Sequence, residues 1–177
     1  MTTTRREVLA LGSFSAIATL ASCARLAPHP SDPAPQPSKP MISSRPLFTL
    51  FLTTAPTQSL GKTPAGTRVI FPIAGGTFEG ERLRGTVLPG GADWTVVRND
   101  GVMELDLRIT LQTDDGALVH MTFFGLRDDA APGQPYFRTL PRFETSAPKY
   151  AFLNRLLAVG TGEVRGGQPV HVIDEVL

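Results

Sequence analysis

Met103-Glu104-Leu105-Asp106-Leu107-Arg108-Ile109-Thr110-Leu111-Gln112-Thr113 alternates without a break. Leu105, Leu107, Ile109 and Leu111 fall on one parity, and Glu104, Asp106, Arg108, Thr110 and Gln112 on the other. Successive side chains of an extended chain point to opposite faces, so this strict period of two predicts a strand with one apolar face.

The pattern resumes from Ala117 to Gly125, with Val119, Met121 and Phe123 on one parity and Leu118, His120, Thr122 and Phe124 on the other. A two-residue connection between the two strands sets Leu111 against His120 and mixes the faces. A three-residue loop, Asp114-Asp115-Gly116, pairs Thr113 with Ala117, Leu111 with Val119 and Ile109 with Met121. The register therefore predicts that loop, with Gly116 supplying the left-handed position of a bulged hairpin. Arg108 then faces Thr122, and Thr110 faces His120.

Further strands are predicted at 47–53, 67–73, 83–88, 95–98, 158–164 and 170–176. Gly75-Gly76, Pro89-Gly90-Gly91, Asn99-Asp100-Gly101 and Gly166-Gly167 are read as the turns between them. One short helix is expected at about 148–157, with Ser146 as its N-cap and Phe152, Leu153, Leu156 and Leu157 as its buried side chains. Many short strands with close turns point to an all-β domain, an antiparallel barrel or sandwich, with the helix able to plug one barrel mouth.

The N-terminus carries a different kind of information. Arg5 and Arg6 precede an uncharged stretch from Val8 to Ser22, too short to span a bilayer comfortably and typical of an export signal. Thr4-Arg5-Arg6-Glu7-Val8-Leu9 resembles the twin-arginine signal, with Val8 where that motif prefers Phe. Leu20-Ala21-Ser22-Cys23 resembles a bacterial lipobox, which implies a lipid on Cys23 and a mature protein held on a membrane. Residues 1–22 are thus expected to be the signal peptide, and 23–45 a lipidated start followed by an extended spacer rich in Pro, Ser and Ala. Residues 46–177 form the one folded domain. The expected location is the bacterial cell envelope, lipid-anchored and facing the periplasm or the exterior. Ala24, where some lipoproteins carry an inner-membrane Asp, favours the outer membrane.

The 17 basic and 16 acidic residues include Arg5, Arg6 and Glu7 of the signal, so the remainder is formally neutral. No basic field is left to attract nucleic acid. Cys23 is the sole cysteine, which rules out an intrachain disulfide and a catalytic thiol elsewhere. The histidines are His29, His120 and His171, with no partner ligand at metal-binding spacing, so no metal site is expected. The glycine pairs are followed by strands, unlike nucleotide-binding loops, and no motif calls for a cofactor. A serine nucleophile is poorly supported, because 46–177 holds only Ser59 and Ser146 and no nucleophile elbow.

Three groups of residues remain as candidates. Asp106 and Arg108 share the polar face of the long strand, with His120 and Thr122 across the hairpin. If that face lines a barrel they form a charged patch; if it meets solvent, the leucine face fills the core. Asp93 beside Trp94 is a carboxylate next to a large aromatic, a setting that raises a pKa and suits acid or base catalysis, or else a turn carboxylate holding backbone N–H groups. Arg138 and Glu144, with Tyr136 and Tyr150 near in sequence, read either as an anion clamp with a carboxylate or as a structural ion pair. Asp93, Asp106 and Glu144 are the catalytic candidates. Trp94, Arg108, His120, Tyr136, Arg138 and Tyr150 are the ligand-binding ones.

Several linked motifs add to this. They are Ile73-Ala74-Gly75-Gly76-Thr77-Phe78-Glu79-Gly80, Leu88-Pro89-Gly90-Gly91-Ala92-Asp93-Trp94, Asp100-Gly101, Leu105-Asp106-Leu107-Arg108 and Asp114-Asp115-Gly116-Ala117. Tyr136-Phe137-Arg138-Thr139, Phe143-Glu144-Thr145 and Tyr150 with Leu153-Asn154 complete the set. In this order and spacing they resemble the bacterial and fungal family called domain of unknown function 3237, from about Pro46 to Leu177. The resemblance implies a single compact β-barrel of the calycin-like kind and carries no settled reaction. One departure is Ala151-Phe152, where the family tends to have Trp before Leu-Asn, so a rim contact is expected to differ.

Two functional readings follow. The first is a lipid-anchored barrel whose lumen or mouth binds a small apolar or aromatic molecule. The second is a cofactor-independent acid/base enzyme, of isomerase, dehydratase or cyclase type, using Asp or Glu with Arg. Convergence of Asp93, Asp106, Arg138 and Glu144 in one pocket favours the enzyme; scatter over the outer surface drops that reading. A third reading, envelope scaffolding, requires a large flat apolar patch.

Overall fold

The computed structural model describes residues 41–130, 133 and 135–177. The export signal, the Cys23 lipobox and the spacer up to Pro40 lie outside the described residues. Nine strands follow in order: β1 (Ser44–Thr54), β2 (Gln58–Thr63), β3 (Gly66–Glu79), β4 (Arg84–Val97), β5 (Met103–Thr113), β6 (Leu118–Asp128), β7 (Tyr136–Glu144), β8 (Ala158–Arg165) and β9 (Gln168–Val176). A 3-10 helix, Pro148–Arg155, sits between β7 and β8.

The strands pair in the order β1-β9-β8-β7-β6-β5-β4-β3-β2, all antiparallel where they meet. A further β1–β3 ladder, Phe51 opposite Thr77 and Leu52 opposite Gly76, closes eight of them into a barrel. Strand β2 is the extra one, laid along the first half of β3. Closure removes the free edges that an open sheet of this length exposes.

The β5–β6 hairpin has the expected register: Leu111 faces Val119, Ile109 faces Met121, Arg108 faces Thr122 and Thr110 faces His120. Its loop is closed by the Thr113 N–H donating to the Ala117 carbonyl at 2.9 Å, with Gly116 at a φ of 85°. Of the two faces, the leucine one is inside. Leu107, Ile109, Leu111, Val119 and Met121 are buried in the core, whereas Arg108 and His120 are exposed. Each such side chain contributes about 1.5–3 kcal/mol by leaving water, which fixes the register against a one-residue slip.

Three expectations change. Gly75-Gly76 and Pro89-Gly90-Gly91 are not turns; they are irregularities inside β3 and β4, where the ladder skips between Pro72 and Gly76 and between Leu88 and Ala92. Such bulges bend long strands, and here they let two 14-residue strands curve around the barrel. The segments 83–88 and 95–98 are accordingly parts of one strand. β2 and β7 add strands not anticipated from the periodicity.

The helix does plug one end, as a 3-10 helix. Tyr150 and Leu153 are its buried residues; Phe152 is partly buried and Leu157 is exposed. Ser146 does not cap it. The residue before the helix is Ala147, whose N–H is instead met by the Thr145 hydroxyl at 3.2 Å. Asn154 holds Thr145 from both sides, its Nδ2 donating to the Thr145 carbonyl (2.8 Å) and its Oδ1 accepting from the Thr145 N–H (2.9 Å). The Tyr150 hydroxyl lies 3.0 Å from Asp115 Oδ1, and Lys149 pairs with the same carboxylate at 2.6 Å. Below the plug, Phe48 meets Phe78 and Phe143 edge-on at 5.5 and 5.8 Å. Phe48, Phe78, Tyr150 and Leu153 are all buried at this end.

Candidate functional site

The opposite half of the barrel is hollow. A cavity of about 280 Å³ opens there, walled by Leu52, Phe71, Ile73, Leu105, Leu107 and Phe137, with Met103, Arg127, Val164 and Pro169 nearer the rim. At that rim the Gln168 side-chain carbonyl accepts from the Thr54 N–H at 2.9 Å, tying the end of β1 to the β8–β9 turn. In the wall itself only a few polar groups interrupt the hydrocarbon, chief among them Asp93 and His171.

Asp93 is turned inward because it pairs with Leu107, a core position of β5. Its Oδ1 accepts from the backbone N–H of Asp106 (3.0 Å) and from the Thr95 hydroxyl (3.1 Å). The paired residues of β4 and β5 skip from Asp93–Leu107 to Val96–Glu104, and the carboxylate takes up the Asp106 N–H in that gap. Burial pushes the Asp93 carboxyl up to about 6, although these two hydrogen bonds pull it partly back. Asp93 thus accepts a backbone N–H, as a structural carboxylate does, but from inside a strand and not from a turn, and its pKa is raised as expected.

His171 stands on β9, three strands away around the barrel and on the same parity as the buried Ile173. It is 1% exposed. The rings of Phe123 and Phe137 lie 5.0 Å from its ring, the latter edge-on. Its Nδ1 is buried with no hydrogen-bond partner among the described residues. Burial alone pushes its pKa down to about 4, so it is a neutral imidazole at neutral pH. Metal-ligand spacing does not single out His171. The available signal was its parity with Ile173, which places a histidine on the core face of a strand.

Asp93, Asp106, Arg138 and Glu144 do not converge: the side chains of Asp106, Arg138 and Glu144 stand on the outer face, which drops the enzyme built on that set and leaves Asp93 as the one member of it in the lumen. Asp106 and Arg108 form an ion pair at 2.9 Å on the outer surface, with the guanidinium 5.7 Å from the ring of Trp94, also on that face. His120 is exposed, opposite Glu144 of β7, which is exposed too. Tyr136 and Arg138 lie outside, the guanidinium 5.3 Å from the Tyr136 ring and donating to the Phe137 carbonyl. Arg138 and Glu144 therefore form neither an anion clamp at the mouth nor an ion pair with each other. Tyr150 belongs to the closed end, bonded to Asp115. Phe152, at the departure from the family pattern, lies 3.8 Å beneath the Arg82 guanidinium and is absent from the cavity wall. Among the described residues no group of three or more His, Cys, Asp or Glu side chains is placed to hold a metal ion.

Residues 42–176 match the family described as protein of unknown function DUF3237. The chain belongs to that family. Among solved structures, the DUF3237 barrel is similar to a beta-barrel like protein from Acinetobacter baumannii, 37% identical, with a TM-score of 0.72 over 80% of this chain and 100% of that one. A UPF0311 protein of Rhodopseudomonas palustris is 34% identical over 151 residues, spanning 78% of this chain and 99% of that protein. Its crystal structure gives a TM-score of 0.73. A fungal relative within reach of the DUF3237 match is the hydroalkoxylation enzyme phnH of Penicillium herquei, 33% identical over 115 residues, or 65% of this chain and 70% of that protein. A crystal structure of an enzyme from the same fungus, 25% identical, gives a TM-score of 0.64 over 80% of this chain and 100% of that one.

Proposed function

We propose that the hollow half of the barrel is an active site in which Asp93 moves a proton to or from a small, largely apolar, unsaturated molecule. The observation that carries this reading is a carboxyl held near 6 by burial in an apolar cavity. A group with that value is present in both protonation states near neutral pH, the condition under which one side chain serves as acid and base. The Thr95 and Asp106 hydrogen bonds to Oδ1 fix the carboxyl and leave Oδ2 free of any side-chain or backbone donor among the described residues. The reaction class is addition across a double bond, cyclisation or isomerisation. In the addition the carboxylic acid gives a proton to one alkene carbon as the alcohol oxygen bonds the other, and the carboxylate takes back the alcohol's O–H proton. In an isomerisation a proton leaves one carbon and one is delivered to another. The fungal hydroalkoxylation enzyme supports this choice, since adding an alcohol O–H across C=C is such a reaction.

Native mass spectrometry of the protein purified from its host, followed by incubation in D₂O, tests the reading. A molecule retained by the wild type is expected to exchange or react with deuterium entering at carbon, and Asp93→Asn is expected to retain it unreacted. A retained molecule recovered unchanged and free of deuterium leaves a binding protein, and the enzymatic reading is withdrawn.

We also propose that the barrel works at a membrane, tethered through Cys23 by the Pro-rich segment that follows it in the sequence. The lipobox-like Leu20-Ala21-Ser22-Cys23 and the preceding Arg5-Arg6 support this. Cys23→Ser is expected to move the protein from the membrane pellet to the soluble fraction. Unchanged pelleting, with no lipid mass on the wild type, removes the proposal.

A further inference from the structure

We propose that the lumen recognises a hydroxyl group: its ligand is a neutral hydroxylated molecule of one or two rings, hydrogen-bonded by the imidazole of His171 in the cavity that Asp93 also lines. The inference rests on the lumen being a ligand site, and it names the chemical class of that ligand.

Three observations lead to it. His171 lines the cavity, is almost wholly buried, and has an Nδ1 without a partner. Buried polar atoms in folded proteins are nearly always paired, so an orphan on a ring that lines a cavity points to a partner that arrives with a ligand, met as the imidazole turns about its Cβ–Cγ bond. The residue is wedged between Phe123 and Phe137, and a phenylalanine at this position leaves nothing polar to satisfy. The polar atom is therefore the feature that sets His171 apart from its neighbours on the wall.

The charge state of the wall narrows the ligand further. An uncharged imidazole offers one donor and one acceptor, and Asp93 offers an acceptor when ionised and a donor when protonated. A hydroxyl both donates and accepts, so it fits either form of that carboxyl. A ligand carboxylate meets the like charge of Asp93, and the nearby Arg127 is already engaged by Asp129 at 2.7 Å. The rest of the wall is aliphatic and aromatic, and the volume of about 280 Å³ suits a compact ring system.

Three isosteric probes test this on the folded protein: 2-naphthol, 2-methylnaphthalene and 2-naphthoate, with dissociation constants measured by titration. Wild type is expected to bind 2-naphthol at least about tenfold more tightly than 2-methylnaphthalene, and 2-naphthoate more weakly than either. His171→Phe is expected to bring the first two within about threefold of each other without weakening 2-methylnaphthalene. If that variant does not fold, the ¹⁵N resonances of the His171 imidazole in the wild type give the same answer. 2-Naphthol is expected to shift one ring nitrogen, and 2-methylnaphthalene neither. Equal affinity for 2-naphthol and 2-methylnaphthalene overturns hydroxyl recognition while leaving the lumen as an apolar site. A preference for 2-naphthoate overturns it in favour of an anion site. A preference that survives His171→Phe, or no movement of the imidazole resonances, removes His171 from the recognition. Failure of all three probes to bind overturns the lumen reading together with this one.

Discussion

Asp93→Asn is expected to open a stability gap over the wild type that grows by about 3 kcal/mol between pH 4 and pH 8. The folded carboxyl titrates at about 6 and the unfolded one near 3.8, so the folded state holds its proton more tightly. That contribution is complete below about pH 4 and is lost as pH rises through 6. An asparagine keeps an oxygen for the Thr95 and Asp106 donors and has no charge to desolvate. His171 runs the other way. Its folded value of about 4 lies below the unfolded 6.5, so its contribution is complete above 6.5 and is lost as pH falls through 4, again by about 3 kcal/mol. Between pH 4 and 6 the two nearly cancel, and wild-type stability is expected to be flat there as far as these groups decide it. Asp93→Asn then exposes the histidine slope, losing stability on acidification. Urea unfolding at half-unit pH steps measures this, and parallel curves for variant and wild type remove Asp93 as a buried, charged liability. A carboxyl kept where it weakens the fold at neutral pH is the pattern expected of a group held for chemistry.

Gly76→Ala is expected to cost about 3–5 kcal/mol, the largest effect of any single methyl group considered. Gly76 has a φ of 148°, and a Cβ there falls 2.0 Å from the Phe51 carbonyl oxygen, a backbone atom with no rotamer to yield. The clash sits on the β1–β3 ladder, where Leu52 faces Gly76, so the damage falls on the pairing that closes the barrel. Gly90→Ala is the control. Its φ of 104° is also strained, but nothing lies within 4 Å of the added carbon, and a cost of about 1 kcal/mol is expected. Chemical denaturation of the two variants separates closure from conformational strain. Equal losses argue that the close approach of β1 and β3 carries no special weight.

The parts of this fold that were legible in the sequence are those where parity alone decides. β5 and β6 alternate cleanly, and only one loop length keeps their apolar faces together. β7 escaped because Tyr136, Arg138, Leu140, Arg142 and Glu144 alternate with Phe137, Thr139, Pro141 and Phe143, a buried face broken by a threonine and a proline. The glycine pairs misled because the same residue that permits a turn permits a bulge, and only the pairing partner tells them apart. Asp93 was found for an incomplete reason. Trp94 points to the outer face, and the raised pKa comes from burial in the lumen, a long-range consequence of closure that no local window contains. Several family-motif residues, Asp115, Thr145, Tyr150, Leu153 and Asn154, serve the closed end. Their recurrence as a motif therefore describes the stopper more than the site.

The first and last strands are neighbours: β1 pairs with β9 from Ser44 opposite Val176 to Phe51 opposite Val170, and the Leu177 N–H donates to the Ser43 carbonyl at 2.8 Å. During synthesis, then, β1 waits with one side unsatisfied until β9 has left the ribosome, and a chain that stops short of β9 leaves the β1–β9 seam of the lumen open. Closure therefore depends on strands far apart in the chain, and long-range pairing of this kind folds slowly. A circular permutant that joins Ser43 to Leu177 and opens the chain at Gly116 makes that pairing local but sends β5 and β6 to the chain ends, so the closing step is expected to pass to their ladder with the folding rate little changed.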